Sequence, residues 1–189
     1  MGDYRPDLLA WHGASGCPRH DVAESAYIVG DLEVVNLTTD APDVVLEHLR
    51  SAIDLIGKTA PNRLARLNRD VGRVLLLMVD SPEYWPFANG FAIGLAAAQD
   101  VPVDQLALTI VHEATHARLW RAGFRYTPDI RERIEHICVR AELDFAQRLP
   151  RAQELVDGLR AKLLHPWWTK AALAERRRLV REEFRRQGL

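Results

Sequence analysis

Cysteine is scarce in this chain: Cys17 and Cys138 are the only two among 189 residues, which argues against a disulfide-stapled scaffold. An excess of one charge is also missing. The formal net charge is -1, so no overall field draws the protein to nucleic acid or to an anionic membrane. No apolar run approaches the roughly 20 residues of a membrane-spanning helix, and the polar stretch Met1–Asp7 does not fit a secretory signal. We therefore expect a cytoplasmic protein without a membrane or nucleic-acid partner.

Linkers and internal repeats are absent as well. With 48% hydrophobic residues and no Pro-, Gly- or Ser-rich divider, the chain is expected to form one domain over residues 1–189. Strand-like and helix-like apolar patterns predict an α+β fold, with helices packed against a small mixed or antiparallel sheet. The elements expected in the first half are a hairpin over Ala26–Leu37, helices over Pro42–Ile56 and Pro61–Arg69, a strand over Arg73–Asp80, and an apolar run over Phe91–Ala98 that suits a strand.

The most informative segment is His112-Glu113-Ala114-Thr115-His116, an H-E-x-x-H pattern. On an α-helix of 3.6 residues per turn, positions i and i+4 project from one face, so both imidazoles can reach the same cation. The glutamate between them points to the side of that pair, where it can touch a water without binding the metal. Helix packing alone does not require this arrangement, and the pattern predicts a metal-dependent hydrolase.

The surroundings of the pattern support a genuine helix. The stretch Val103–Ala122 contains no Gly or Pro, follows Pro102 and is followed by Gly123. This pattern predicts a helix that ends at a glycine C-cap. Its first two thirds are apolar around most of the circumference, so the helix is expected to be central and buried. Two buried histidines without a shared purpose would each need a separate hydrogen-bond partner.

A third metal ligand is expected downstream, because catalytic zinc usually takes three protein ligands and a water. After a short loop, a second helix is predicted over Pro128–Leu149, and a short loop favours an antiparallel helix pair. His116 lies about six residues before the end of the first helix, and Glu135 lies a similar distance after the start of the second. The two residues are therefore expected to face each other across the helix pair. Glu142 lies two turns further on nearly the same face, where it is either the competing third ligand or a partner that orients His112.

These residues resemble the zincin metallopeptidases, in particular the gluzincin-like type with two histidines and a downstream glutamate on the following helix. The resemblance covers about 60 residues, and it implies a zincin-like α+β fold with Zn²⁺ bound by His112, His116 and Glu135. Glu113 would be the general base. Family members often have an aspartate four residues after the ligand glutamate, whereas this chain has Val139.

The function implied by the resemblance is hydrolysis of peptide bonds in a peptide or protein substrate, with metal-bound water activated by Glu113. Tyr126 and His136 are the nearest candidates to stabilise the oxyanion. In zincins the strand before the motif helix often lies at the sheet edge and pairs with substrate, and the run Phe91–Ala98 is similar in position. The alternative for this run is plain core packing. The alternative is a non-catalytic zincin-like metal-binding domain that acts through a protein partner.

The C-terminal segment Thr169–Gln187 has a helical pattern with an apolar side and a basic side. We expect this helix to dock on the domain and to leave its arginines in solvent. The arginines concerned are Arg176, Arg177, Arg178, Arg181, Arg185 and Arg186.

Overall fold

Five strands and six α-helices make up the described part of the chain in a computed structural model. The residues described are 25–38, 43–150, 152–169, 171–172, 178 and 186. The predicted basic helix over 169–187 lies largely outside them. In chain order the elements are β1 (Ser25–Val29), β2 (Leu32–Asn36), α1 (Asp43–Thr59), α2 (Pro61–Asp70), β3 (Arg73–Leu77), β4 (Glu83–Trp85), β5 (Gly90–Gly94), α3 (Leu95–Asp100), α4 (Val103–Arg121), α5 (Arg131–Ala146) and α6 (Gln153–Leu164).

The sheet is mixed, with the strand order β1-β2-β3-β5-β4. Strands β2, β3 and β5 run parallel, while β1 and β4 pair antiparallel with their neighbours at the two edges. The predicted hairpin is confirmed, and Gly30 at its tip has a φ of 61°, a left-handed conformation that a glycine adopts without strain.

Helix α4 lies at the centre of the helical layer and contacts α1, α2 and α5, while α6 packs on the far side of α5. Nine of the 19 residues of α4 are buried and only Gln105 and Arg121 are exposed, in line with the central helix that its sequence predicts. The α+β class, the mixed sheet and the helices α1, α2 and α4 agree with the sequence-based expectations. No helix within the described ranges has the length and apolar character needed to cross a membrane.

The strand before the motif helix was predicted wrongly in two respects. Strand β5 ends at Gly94, and helix α3 begins at Leu95 instead of a strand continuing to Ala98. Strand β5 is also internal, because β4 pairs along its outer side and forms the sheet edge. Periodicity alone does not separate a short apolar helix from a strand, and strand order depends on pairings far apart in the sequence.

Smaller differences concern the ends of the elements. Strand β3 stops at Leu77 rather than Asp80, and α1 continues past Ile56 to Thr59. Helix α5 begins at Arg131 rather than Pro128, because the preceding residues form a turn whose amides bond to the Thr127 carbonyl. Turn and helix residues with similar dihedral angles are hard to separate by sequence.

Candidate metal centre

Helix α4 brings the two motif histidines together on one face. The Nε2 atoms of His112 and His116 are 3.2 Å apart. Both rings are mostly buried, with side-chain exposures of 18% and 14%. The spacing predicted from the i and i+4 positions is therefore present, and both nitrogens face the same small space.

Glu135 on α5 faces that same space. Its Oε2 lies 3.5 Å from His112 Nε2, and its Oε1 lies 3.8 Å from His116 Nε2. Ligand atoms bound at about 2.0–2.1 Å around a tetrahedral zinc ion lie roughly 3.3 Å from one another. The separations among these three side chains are close to that value, so the two nitrogens and one carboxylate fit a common divalent cation.

Glu142, the other candidate ligand, lies on the opposite side of the His112 ring. Its Oε1 pairs with His112 Nδ1, and its Oε2 is 4.0 Å from the Lys162 ammonium on α6. A carboxylate at Nδ1 holds the imidazole in the tautomer that leaves Nε2 free for a metal. Glu142 thus occupies the orienting position, which Val139, a buried apolar residue, does not fill.

Tyr126 connects the loop before α5 to the same cluster. Its hydroxyl donates a hydrogen bond to Glu135 Oε1, and its ring meets the His116 ring edge-on at 5.6 Å. Burial, followed by the hydrogen bond to Glu135, raises the pKa of Tyr126. The hydroxyl therefore stays protonated and acts as a donor. His136, the other residue considered for the oxyanion, is exposed and does not line the cleft.

Glu113 is buried beside the two histidines, with an exposure of 4%. Its Oε2 atom has no hydrogen-bond partner, which is costly for a buried carboxylate unless water or a bound group satisfies it. Burial raises the pKa of Glu113 to about 7, although the charge of His112 opposes that rise. A carboxyl group with such a pKa can exchange a proton near neutral pH.

The two histidines and the carboxylates around them shift one another's pKa values. Burial alone would lower the pKa of His112, but the carboxylates of Glu135 and Glu142 raise it to about 10. Burial and the neighbouring His112 lower the pKa of His116 to about 4. Burial opposes ionisation of Glu135, yet contacts with His112 and Tyr126 lower its pKa. The cluster favours positive charge at His112, and a divalent cation would replace that proton.

Cys138 offers a different third ligand. Its sulfur lies within 4.8 Å of ligand nitrogens of both His112 and His116, and the side chain is fully buried. Burial, together with the nearby carboxylates of Glu135 and Glu113, raises the pKa of the Cys138 thiol. A metal ligand must be a thiolate, so these surroundings favour the ionised Glu135 over Cys138.

The cluster lies at the floor of a large cleft of about 1260 Å³. Edge strand β4 contributes Glu83 and Tyr84 to one wall, and the loop between α4 and α5 contributes Phe124 and Tyr126 to another. Trp167, which follows α6, is half-exposed at the margin. The cleft therefore connects the histidines to solvent along an open strand edge.

Two contributors to this site were missed by sequence reasoning. No strand was predicted at β4, because it has only three residues between Pro82 and Pro86. Arg131 also lines the cleft. Its position, one turn before Glu135 on the same face of α5, is the signal that could have identified it.

Comparison with known protein families, curated proteins and solved structures finds no match for this chain.

Proposed function

We propose that this protein is a zinc-dependent peptidase with a zincin-like site. The observation that supports the proposal most is the convergence of His112 Nε2, His116 Nε2 and the Glu135 carboxylate beside the unpartnered Oε2 of Glu113. A purely structural zinc site is closed by four protein ligands and has no use for a base next to an open position. Here the three groups open onto a cleft.

Zinc held by His112, His116 and Glu135 would supply a Lewis acid for the scissile carbonyl and would bring the pKa of the attacking water toward neutrality. Glu113 accepts the proton of the attacking water at Oε2 and then delivers it to the leaving amine. Glu142 orients His112 through Nδ1, and Tyr126 holds Oε1 of Glu135. The residues that hold the ligands are thus separate from the residue that transfers the proton.

A peptide substrate suits the shape of the cleft. Among the described residues strand β4 pairs with β5 alone, and Glu83 and Tyr84 of this strand line the cleft. An extended peptide can add to such an edge through backbone hydrogen bonds, which give affinity with little demand on side-chain identity. The edge role expected for Phe91–Ala98 is therefore reassigned to β4.

Metal content and turnover of three variants test the proposal. Wild-type protein should carry one equivalent of zinc and cleave an unfolded protein substrate, whereas His112→Ala should lose the metal. Glu113→Gln should keep the metal and lose turnover by about 100-fold or more, because only the proton transfer is removed. Glu154→Gln, at an exposed position on α6, is the matched control. Equal cleavage by Glu113→Gln and wild type would refute the peptidase function.

The alternative is a non-catalytic metal-binding domain, and the group His112, His116 and Cys138 favours it. In that case Cys138→Ala should release the metal and Glu135→Gln should retain it. The peptidase proposal expects the reverse, since it assigns the third ligand to Glu135. Metal analysis of these two variants identifies the third ligand, and the turnover of Glu113→Gln beside wild type then separates the two functions.

A further inference from the structure

Arg131 is the first residue of α5 and lies one turn before Glu135 on the same helix face. Its side chain is partly exposed and lines the cleft that holds the histidines. The guanidinium lies over the Tyr126 ring, 5.5 Å from its centroid. Because the Tyr126 hydroxyl bonds to Glu135, Arg131 is separated from the proposed metal ligand by a single side chain.

This arginine has no anionic partner among the described residues. Its Nε atom is buried without an acceptor, and no carboxylate of those residues lies within 4.0 Å of its guanidinium. Other arginines beside α4 and α5 are paired: Arg63 with Asp144 at 2.5 Å, and Arg121 with Asp70 at 3.6 Å. A guanidinium donates five hydrogen bonds and is always charged, so Arg131 brings to the cleft a positive charge that no carboxylate of the described residues neutralises.

We propose that Arg131 binds a carboxylate of the substrate close to the scissile bond. This inference rests on the proposed peptidase function and specifies its substrate class. A planar guanidinium pairs with a carboxylate through two parallel hydrogen bonds. The carboxylate is either the C-terminus of the peptide or an Asp or Glu side chain, and both sources present the same group.

The charges of the cleft favour one side for this group. Asp80 and Glu83 line the wall formed by β4 and the segment before it, while Arg131, Glu135 and Glu142 line the wall formed by α5. The two α5 carboxylates are engaged by Tyr126, His112 and Lys162, which leaves Arg131 as the charged group of this wall without a partner of opposite charge among the described residues. A substrate carboxylate is repelled from the first wall and attracted to the second. An extended residue spans about 3.3–3.6 Å, and one side chain separates Arg131 from Glu135. The bound carboxylate therefore belongs to a residue within a few positions of the cleaved bond.

Binding of labelled peptides tests the proposal without depending on turnover. Four fluorescein-labelled peptides of one apolar sequence would be compared: a free C-terminus against its amide, and an internal Glu against Gln in an amidated peptide. Affinities for the zinc-loaded Glu113→Gln protein would be measured by fluorescence anisotropy, alone and combined with Arg131→Gln or Arg133→Gln. Arg133 is exposed on α5 and does not line the cleft. Arg133→Gln therefore removes the same charge as Arg131→Gln without changing the cleft.

We expect one of the two acidic peptides to bind about tenfold or more tightly than its neutral partner, as a charge-assisted pair provides. Arg131→Gln should abolish this preference and Arg133→Gln should keep it. The peptide pair whose two members differ in affinity shows whether Arg131 binds the C-terminal carboxylate or an acidic side chain. The zinc content of each variant is also measured. A loss of zinc in Arg131→Gln would mean that Arg131 only holds Tyr126 and Glu135 in position.

Equal affinity for all four peptides, including no detectable binding of any, would overturn the proposal. A preference that survives Arg131→Gln would also overturn it, as would its loss together with the zinc. A failure of the peptidase function looks different: wild-type protein would cleave none of the peptides, while the binding preference would still depend on Arg131.

Discussion

His112 is held between two carboxylates, with Glu142 at Nδ1 and Glu135 beside Nε2. The first contact selects the tautomer, and the second places an anionic oxygen where a metal ligand is required. Glu142 is buried and also lies 4.0 Å from Lys162. Contacts with His112 and Lys162 therefore fix the Glu142 carboxylate, which can hold the imidazole in one orientation.

Glu142→Gln should weaken zinc binding by about 10–100-fold, the usual effect of removing the partner of a ligating histidine. The amide keeps the shape of the side chain but not the charge that makes His112 a better ligand. Competition with a chromophoric chelator at fixed pH measures the affinity. Glu154→Gln on the exposed side of α6 is the control, and equal affinities of the two variants would show that Glu142 does not orient His112.

The sequence was sufficient to predict that His112 and His116 meet on one helix face beside Glu113, because the motif lies within a single helix whose geometry is known. Glu135 and Glu142 could be proposed from the length of the α4–α5 connection. Their separate positions on the two sides of the His112 ring depend on how α5 is rotated about its axis, which packing determines. Tyr126 lies in a loop, whose conformation leaves a weaker pattern in the sequence.

At the scale of the elements, the junction of β5 and α3 is set by a close backbone approach. A Cβ atom added at Gly94 would lie 2.2 Å from the carbonyl oxygen of Val79, far inside van der Waals contact. Val79 directly precedes the cleft residues Asp80 and Ser81. Glycine at this junction therefore lets the segment before β4 lie against the end of β5.

Gly94→Ala should lower the free energy of unfolding by about 1–3 kcal/mol, since a backbone carbonyl cannot move aside as a side chain does. Gly158→Ala is the matched control. Gly158 lies inside α6, and a Cβ there would meet nothing within 4 Å, so alanine should stabilise by about 0.5–1 kcal/mol. Urea unfolding measures both. A neutral Gly94→Ala would mean that the approach of Val79 is not tight in solution.

The predictable elements were those with long, regular patterns. Helix α1 has continuous apolar periodicity, α4 is apolar around most of its circumference, and both have Pro or Gly near their ends. The β1–β2 hairpin has a glycine-first turn. Strand β4 has three residues between prolines, too few for a periodic signal. Its place at the edge follows from pairing with β5, an interaction that local patterns do not encode.

At the scale of the whole molecule, zinc binding should raise the Tm of the protein. A ligand that binds only the folded state at 100 times its Kd adds about 2.7 kcal/mol, which corresponds to a rise of about 5–10 °C in Tm for a chain of this size. Zinc added to metal-depleted wild type should produce this shift. His116→Ala should show almost none, because one of the three ligands is removed. Equal shifts would place the zinc elsewhere on the protein.

The proposed ligands belong to two consecutive helices, α4 and α5, joined by a short connection. The entropic cost of bringing the ends of a chain segment together rises with the length of that segment. Because the α4–α5 connection is short, binding an ion between these two helices costs little chain entropy. The sheet and α1 contribute no ligand, and no proposed ligand belongs to the apolar core that they share with α4 and α5. Zinc can thus leave and return without unfolding the scaffold, and apoprotein should refill its site within a fully formed protein.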